Sequence, residues 1–169
     1  MSLLDEMLEA WRYSREGVIA ELENLPEMRC NERPGGVQRS ALDLANHIIE
    51  SGWLMAGELS RADGDFQRKP YPALIAELNP ERPATTRAEA LAALRRSLEQ
   101  GMRLLHGAGE ERLMRPIRQF NGVPASRMSW LHHGIAHEEY HRGQLAIYAR
   151  LFGITPALTK LYEGEPASA

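Results

Sequence analysis

Apolar residues recur at three- and four-residue steps through four stretches of this chain, the spacing that lines one face of an α-helix. In the first stretch Leu3, Leu4, Met7, Leu8, Trp11, Val18, Leu22 and Leu25 share such a stripe. Ser2 with Asp5 makes a capping-box start and Pro26 a stop, which predicts a helix over roughly residues 3–24. Ser40 with Asp43 opens a second helix, carried by Leu44, Ile48, Met55 and Leu59 to about Arg61. Thr86 with Glu89 opens a third, on which Leu91, Leu94, Leu98, Met102 and Leu105 follow one another. The fourth begins near Ser129 and runs to Phe152; Gly153 stands where a C-cap glycine belongs, and Pro156 bars continuation.

The connections are long. EMRCNERPGGVQR reads as a polar loop, and residues 62–85 hold four prolines around a short apolar piece, PALIAEL, that allows one or two helical turns. HGAGEERLMRPIRQFNGVPAS is punctuated by glycine, proline and Asn121-Gly122; part of it can be extended, but nothing in it demands a sheet. The last segment, TPALTKLYEG, is expected to pack back on the helices. Four amphipathic helices with long links predict an all-α protein, a four-helix bundle with long crossover connections.

At 169 residues the chain has the usual size of one domain with one core, residues 1–169. Twenty Lys+Arg against 23 Asp+Glu give a net charge of −3, and no basic block appears, so nucleic acid is not an expected partner. A lone Cys30 cannot form an intramolecular disulfide. The acidic start, MSLLDEMLEAWRYSREG, is neither a signal peptide nor a membrane anchor, and a cytoplasmic location is expected.

The candidate chemistry lies in the histidines. Four of the six, His132, His133, His137 and His141, fall in LHHGIAHEEYHRGQL on the fourth helix. His137 and His141 are four apart, so both rings leave the same face one turn apart and can chelate a single transition-metal ion. Histidines so spaced also occur on solvated faces. His133 shares the stripe but lies about 12 Å of helix rise from His141, so a third ligand has to come from another helix. His47 is the best candidate, because its own stripe of Leu44, Ile48, Ser51 and Met55 is largely apolar and turns it inward. An inward histidine is also satisfied by a carbonyl or a carboxylate.

HEEYH further matches the H-E-x-x-H signature of zinc peptidases, with Glu138 as the general base. Such enzymes need a further ligand downstream, and only Glu163 and Glu165 are present there. The peptidase reading is therefore weak. Among the remaining residues, Gly143 inside a helix implies a close backbone neighbour, and Arg142 and Gln144 either orient a ligand or are surface polar groups. His132 is expected in solvent or at a subunit contact and His106 at the negative end of the third helix. Trp11, Trp53 and Trp130 fit core or interface packing better than contact with a substrate; Tyr140 is within reach of the metal cavity but fits core packing better.

As a set these residues resemble the DinB/YfiT-like superfamily of metal-binding four-helix bundles. The resemblance spans nearly the whole chain and is strongest over HEEYHRGQLAIYARLFGITP, residues 137–156. There two histidines four apart precede Arg-Gly-Gln, an apolar run, glycine and proline; FNGVPASRMSWLHH resembles the usual entry to that helix. The resemblance implies that His47, His137 and His141 ligate a divalent transition metal, zinc or nickel. It implies a metal-dependent enzyme of the thiol-dependent S-transferase type, acting on a small molecule with a low-molecular-weight thiol. A metal-dependent hydrolase and a non-catalytic, stress-related metal-binding protein stand beside it. A homodimer is also implied, and no membrane partner.

Overall fold

The computed structural model describes residues 2–164. Four long helices dominate it: α1 (Leu3–Asn24), α2 (Ala41–Ser60), α4 (Arg87–Ala108) and α6 (Arg127–Leu151). Shorter elements fill the links: α3 (Tyr71–Leu78), α5 (Glu110–Met114), the strands β1 (Pro116–Arg118) and β2 (Pro124–Ser126), and α7 (Ala157–Glu163). Among the described residues no helix is long and apolar enough to cross a membrane.

The three capping boxes form as the sequence predicts. Ser2, Ser40 and Thr86 each accept the backbone N–H of the acid three residues on, and each acid reaches back to the cap; a cap of this kind contributes about 1 kcal/mol. Helix α6 starts earlier than Ser129, because Ser126 is its cap and accepts the Ser129 N–H at 3.1 Å. No acid stands at the third helical position to complete a box there, so the sequence marks this start less sharply than the other three. At the far end Gly153 adopts φ 75°. The Ile154 N–H then reaches the Ala149 carbonyl at 2.8 Å and the Gly153 N–H the Arg150 carbonyl at 3.0 Å, closing the helix with a left-handed turn.

Helix α1 packs against α4 and α6, and α2 packs against the same two, so consecutive α1 and α2 lie diagonally across the bundle. The long links exist to cover that diagonal. One difference from the sequence reading lies in residues 106–126, where α5 and an antiparallel hairpin pairing Ile117 with Ala125 replace an irregular loop. At three residues per strand, these runs are too short to show an alternating pattern. Tail helix α7 packs back on α1, with the buried Glu21 carboxylate accepting the N–H groups of Ala157 and Leu158.

The buried apolar side chains form two clusters rather than one continuous core. One holds Val18, Leu22, Ile48, Leu94 and Leu145; the other holds Trp11, Leu59, Leu98, Leu131 and Ile135. On α1, α4 and α6 the change of cluster falls at polar residues: Ser14 and Arg15, Ser97, and Glu138 to Arg142. A polar belt thus crosses the bundle at mid-height. Helix α2 makes room for it with Gly52, where a Cβ would stand 2.8 Å from the Arg15 Nη2.

Candidate metal centre

Neighbouring helices α2 and α6 bring His47, His137 and His141 together at the level of that belt. Their entry angle is held by Arg127, the first residue of α6, whose guanidinium donates to the carbonyls of Leu59 at 2.9 Å and Arg61 at 2.6 Å, at the end of α2. The His137 Nε2 lies 3.0 Å from the Nε2 of His47 and 3.0 Å from that of His141. One ligand atom from each ring fits within a mutual distance of 4.8 Å, and these three histidines are the one such group among the described residues. The rings meet edge to face, with centroids 4.4–4.9 Å apart. Nitrogens therefore point at a common centre and the rings do not stack.

The protonation states suit a cation. Burial, with the nearby Arg39 guanidinium and the competing protonation of His141, pulls His47 from 6.5 to about 4. Burial and the other histidines pull His137 to about 4 as well. His141 is lowered by burial, against the opposing pull of Gln144. All three rings are neutral at pH 7. The His141 Nδ1–H donates to the Gln144 Oε1 at 2.6 Å, which leaves the Nε2 lone pair facing the other two rings. Three neutral rings with two Nε2 pairs drawn to 3.0 Å satisfy one another poorly, since each N–H···N contact uses one donor. The spacing fits an ion instead: metal–nitrogen bonds of about 2.0–2.1 Å place neighbouring ligand nitrogens roughly 3.0–3.4 Å apart. Three neutral imidazoles suit zinc, nickel, copper or iron(II) and leave coordination positions open.

Glu138 does not face this centre. It is buried, and its carboxylate accepts the Trp11 indole N–H at 2.6 Å and two Arg15 N–H groups at 2.6 and 2.7 Å. Arg15 in turn donates to the Leu94 carbonyl and the Ser97 hydroxyl, both at 2.7 Å. Adjacent in sequence to a histidine, Glu138 projects into the belt on the other side of the helix, so the H-E-x-x-H match carries no general base. Glu163 lies on the exposed part of α7 and Glu165 outside the described residues.

Other expectations need correction. Gly143 has no heavy atom within 4 Å of where a Cβ would stand; it is a bare helix surface. The close approaches are at Gly101, where a Cβ would lie 2.4 Å from the Trp11 ring, and at Gly134, 1.9 Å from the Met55 sulfur. Arg142 turns to α1, where it lies over the Tyr13 ring and beside Glu139, and does not orient a ligand. Tyr140 is 65% exposed and is not a core residue. Trp11 and Trp53 are buried, His132 is exposed, and His106 stands in the last turn of α4. Cys30 is buried, which pushes its thiol up and away from a nucleophilic role.

Trp130 is half-buried and borders a cavity of about 200 Å³ that opens beside the centre. His47 and His137 line one end of it, and Met55, Phe66, Phe120 and Trp130 its walls. Sequence reading missed this wall, because Phe66 and Phe120 come from links without periodicity.

No curated protein sequence matches the chain. Among solved structures, a DinB-like protein (YjoA) from Bacillus subtilis superposes with a TM-score of 0.69 at 22% identity, over 89% of this chain and 94% of that one. A mutant of mycothiol-dependent maleylpyruvate isomerase superposes with a TM-score of 0.65 at 11% identity; it covers 85% of this chain, which spans 61% of the isomerase. The sequence itself matches the DinB superfamily over residues 10–145, a span that includes all three histidines; the chain belongs to that superfamily.

Proposed function

We propose that this protein binds one divalent transition-metal ion, zinc or nickel, through His47, His137 and His141. We propose further that it uses the ion in thiol-dependent group transfer between a low-molecular-weight thiol and a small electrophile. The observation that carries the reading is the convergence of three neutral imidazole nitrogens with no carboxylate among them. When bound, such an ion keeps its full positive charge at an open position and lowers the pKa of a thiol or water placed there. The chain does the rest by position. Gln144 holds the His141 tautomer, burial keeps His47 and His137 unprotonated, and the rings of Phe66, Phe120 and Trp130 line the approach to the histidines.

Support for a thiol comes from the mycothiol dependence of one structural neighbour. Against the hydrolase reading stands Glu138, whose oxygens are both engaged by Arg15. We also propose a homodimer, on the exposed Tyr140, Ile147 and Leu151 along the outer face of α6; light scattering tests it, with twice 19.0 kDa expected and a monomer as the contrary result.

The activity test uses zinc- or nickel-loaded protein, 1-chloro-2,4-dinitrobenzene as electrophile, and mycothiol, glutathione or cysteine as thiol. Conjugation that requires both thiol and metal, and that His137→Ala abolishes, is the expected result. Thiol-independent ester cleavage, or conjugation unchanged in His137→Ala, contradicts it.

A further inference from the structure

The cavity beside the histidines has a composition of its own. Phe66 and Tyr71 come from the link between α2 and α4, Phe120 from the hairpin and Trp130 from α6, and all four line it. The two links are tied to each other: the Phe66 N–H donates to the Arg118 carbonyl at 3.1 Å, and the Gln67 side-chain amide to the Phe120 carbonyl at 2.8 Å. Arg118 also grips Asp65 through two of its nitrogens, Nε and Nη2. These bonds hold the rings at fixed mutual angles. Phe66 lies 4.7 Å from Trp130 and 4.8 Å from Phe120, and Phe120 meets Trp130 at 5.8 Å and 77°.

The lining includes no Asp, Glu, Lys or Arg; its polar members are the histidines, Ser51 and Tyr71. The walls therefore offer a charged body no counter-charge. The volume, about 200 Å³, is a little more than the ~150 Å³ of an engineered apolar cavity that holds benzene. One ring with a small substituent fits; a long acyl chain does not. Ring faces and edges presented at mutual angles of 37–77° favour another ring over a saturated body of the same size, because aromatic pairs gain from offset and edge-to-face contact beyond area alone.

We propose that this cavity selects the electrophilic substrate, and that the substrate is a planar, uncharged, single-ring or similarly compact conjugated molecule whose reactive carbon faces His47 and His137. The role as substrate rests on the metal-centre reading above, but the selectivity belongs to the aromatic walls and is measurable without the ion. Phe120 is the main specificity-determining residue: it is 41% exposed near the hairpin tip, so its truncation spares the core.

The test titrates metal-loaded and metal-stripped protein with benzyl alcohol, its saturated analogue cyclohexylmethanol, and decanoate, followed by tryptophan fluorescence and ligand-observed NMR. Benzyl alcohol is expected to bind at least tenfold more tightly than either competitor in both forms. Phe120→Ala and Trp130→Leu are each expected to weaken it at least fivefold with the helical circular dichroism unchanged. In the conjugation assay Phe120→Ala is expected to raise KM for the ring electrophile more than it lowers kcat. Equal binding of the two alcohols, preference for decanoate, or binding undiminished in both variants overturns the proposal. Ring selectivity in a protein that never retains metal would refute the metal reading and leave the pocket standing. Metal retention without ring selectivity does the reverse.

Discussion

Replacing Glu138 by glutamine separates a structural carboxylate from a catalytic one. In the native chain Glu138 is 3% exposed and Arg15 0%, and the carboxylate accepts three hydrogen bonds of 2.6–2.7 Å from Arg15 and Trp11. The variant leaves the Arg15 guanidinium buried without a counter-charge, with the Leu94 carbonyl, the Ser97 hydroxyl and the one remaining amide oxygen as neutral acceptors. Breaking a buried pair from one side costs about 3–5 kcal/mol, most of it the stranded charge. For a chain of this length that corresponds to a drop in Tm of roughly 6–20 °C. Chemical denaturation at pH 7 measures the loss directly. The double variant Arg15→Met with Glu138→Leu strands no charge, only the buried Trp11 N–H, and is expected to return to within about 1–3 kcal/mol of the parent. A loss below about 1 kcal/mol in Glu138→Gln, together with abolished hydrolysis of an ester, would refute the structural assignment and restore the general base.

Gln144→Leu frees the His141 ring to take either tautomer and is expected to weaken metal binding by about 10–100-fold in a chelator competition, with unchanged helix content; unaltered affinity would show that Gln144 does not orient the ring. Two glycines give opposite signs in thermal melts. Gly101→Ala drives a methyl into the Trp11 ring and is expected to destabilise by about 1–3 kcal/mol, whereas Gly143→Ala meets nothing within 4 Å and is expected to stabilise by up to about 1 kcal/mol. For the metal-free protein, His47 and His137 stand at about 4 when folded against 6.5 for an unperturbed ring. The unfolded chain therefore binds more protons between those values, so stability falls as pH drops from about 6.5 to about 4 and this contribution levels off below. Titration of the urea midpoint checks this, and a midpoint that rises on acidification through that window contradicts it.

The parts of this protein that were legible in its sequence are those with a period or a cap. The stripe of Leu3 to Leu25 and the pairs Ser2–Asp5, Ser40–Asp43 and Thr86–Glu89 placed three long helices within a few residues of where they lie. His137 and His141 face one way because helical geometry makes residues four apart do so. Their meeting with His47 depends on α2 lying beside α6 rather than beside α1, a matter of packing that the resemblance implied and spacing alone left open. Three things were opaque for physical reasons. The hairpin strands are too short to alternate. The polar belt pairs Arg15 with Glu138 across 123 residues of chain, a contact without local signature. And a glycine that faces solvent, Gly143, looks in sequence like one that admits a neighbour, Gly134 or Gly101.

X-ray absorption spectroscopy at the zinc or nickel edge of stoichiometrically loaded protein reads the ligand set itself. Three imidazole nitrogens at about 2.0–2.1 Å, with one ion per chain and loss of the ion in His47→Ala, are the result expected here. Retention of a full equivalent by His47→Ala, or a first shell without the multiple-scattering pattern of imidazole, would contradict the shared centre on α2 and α6.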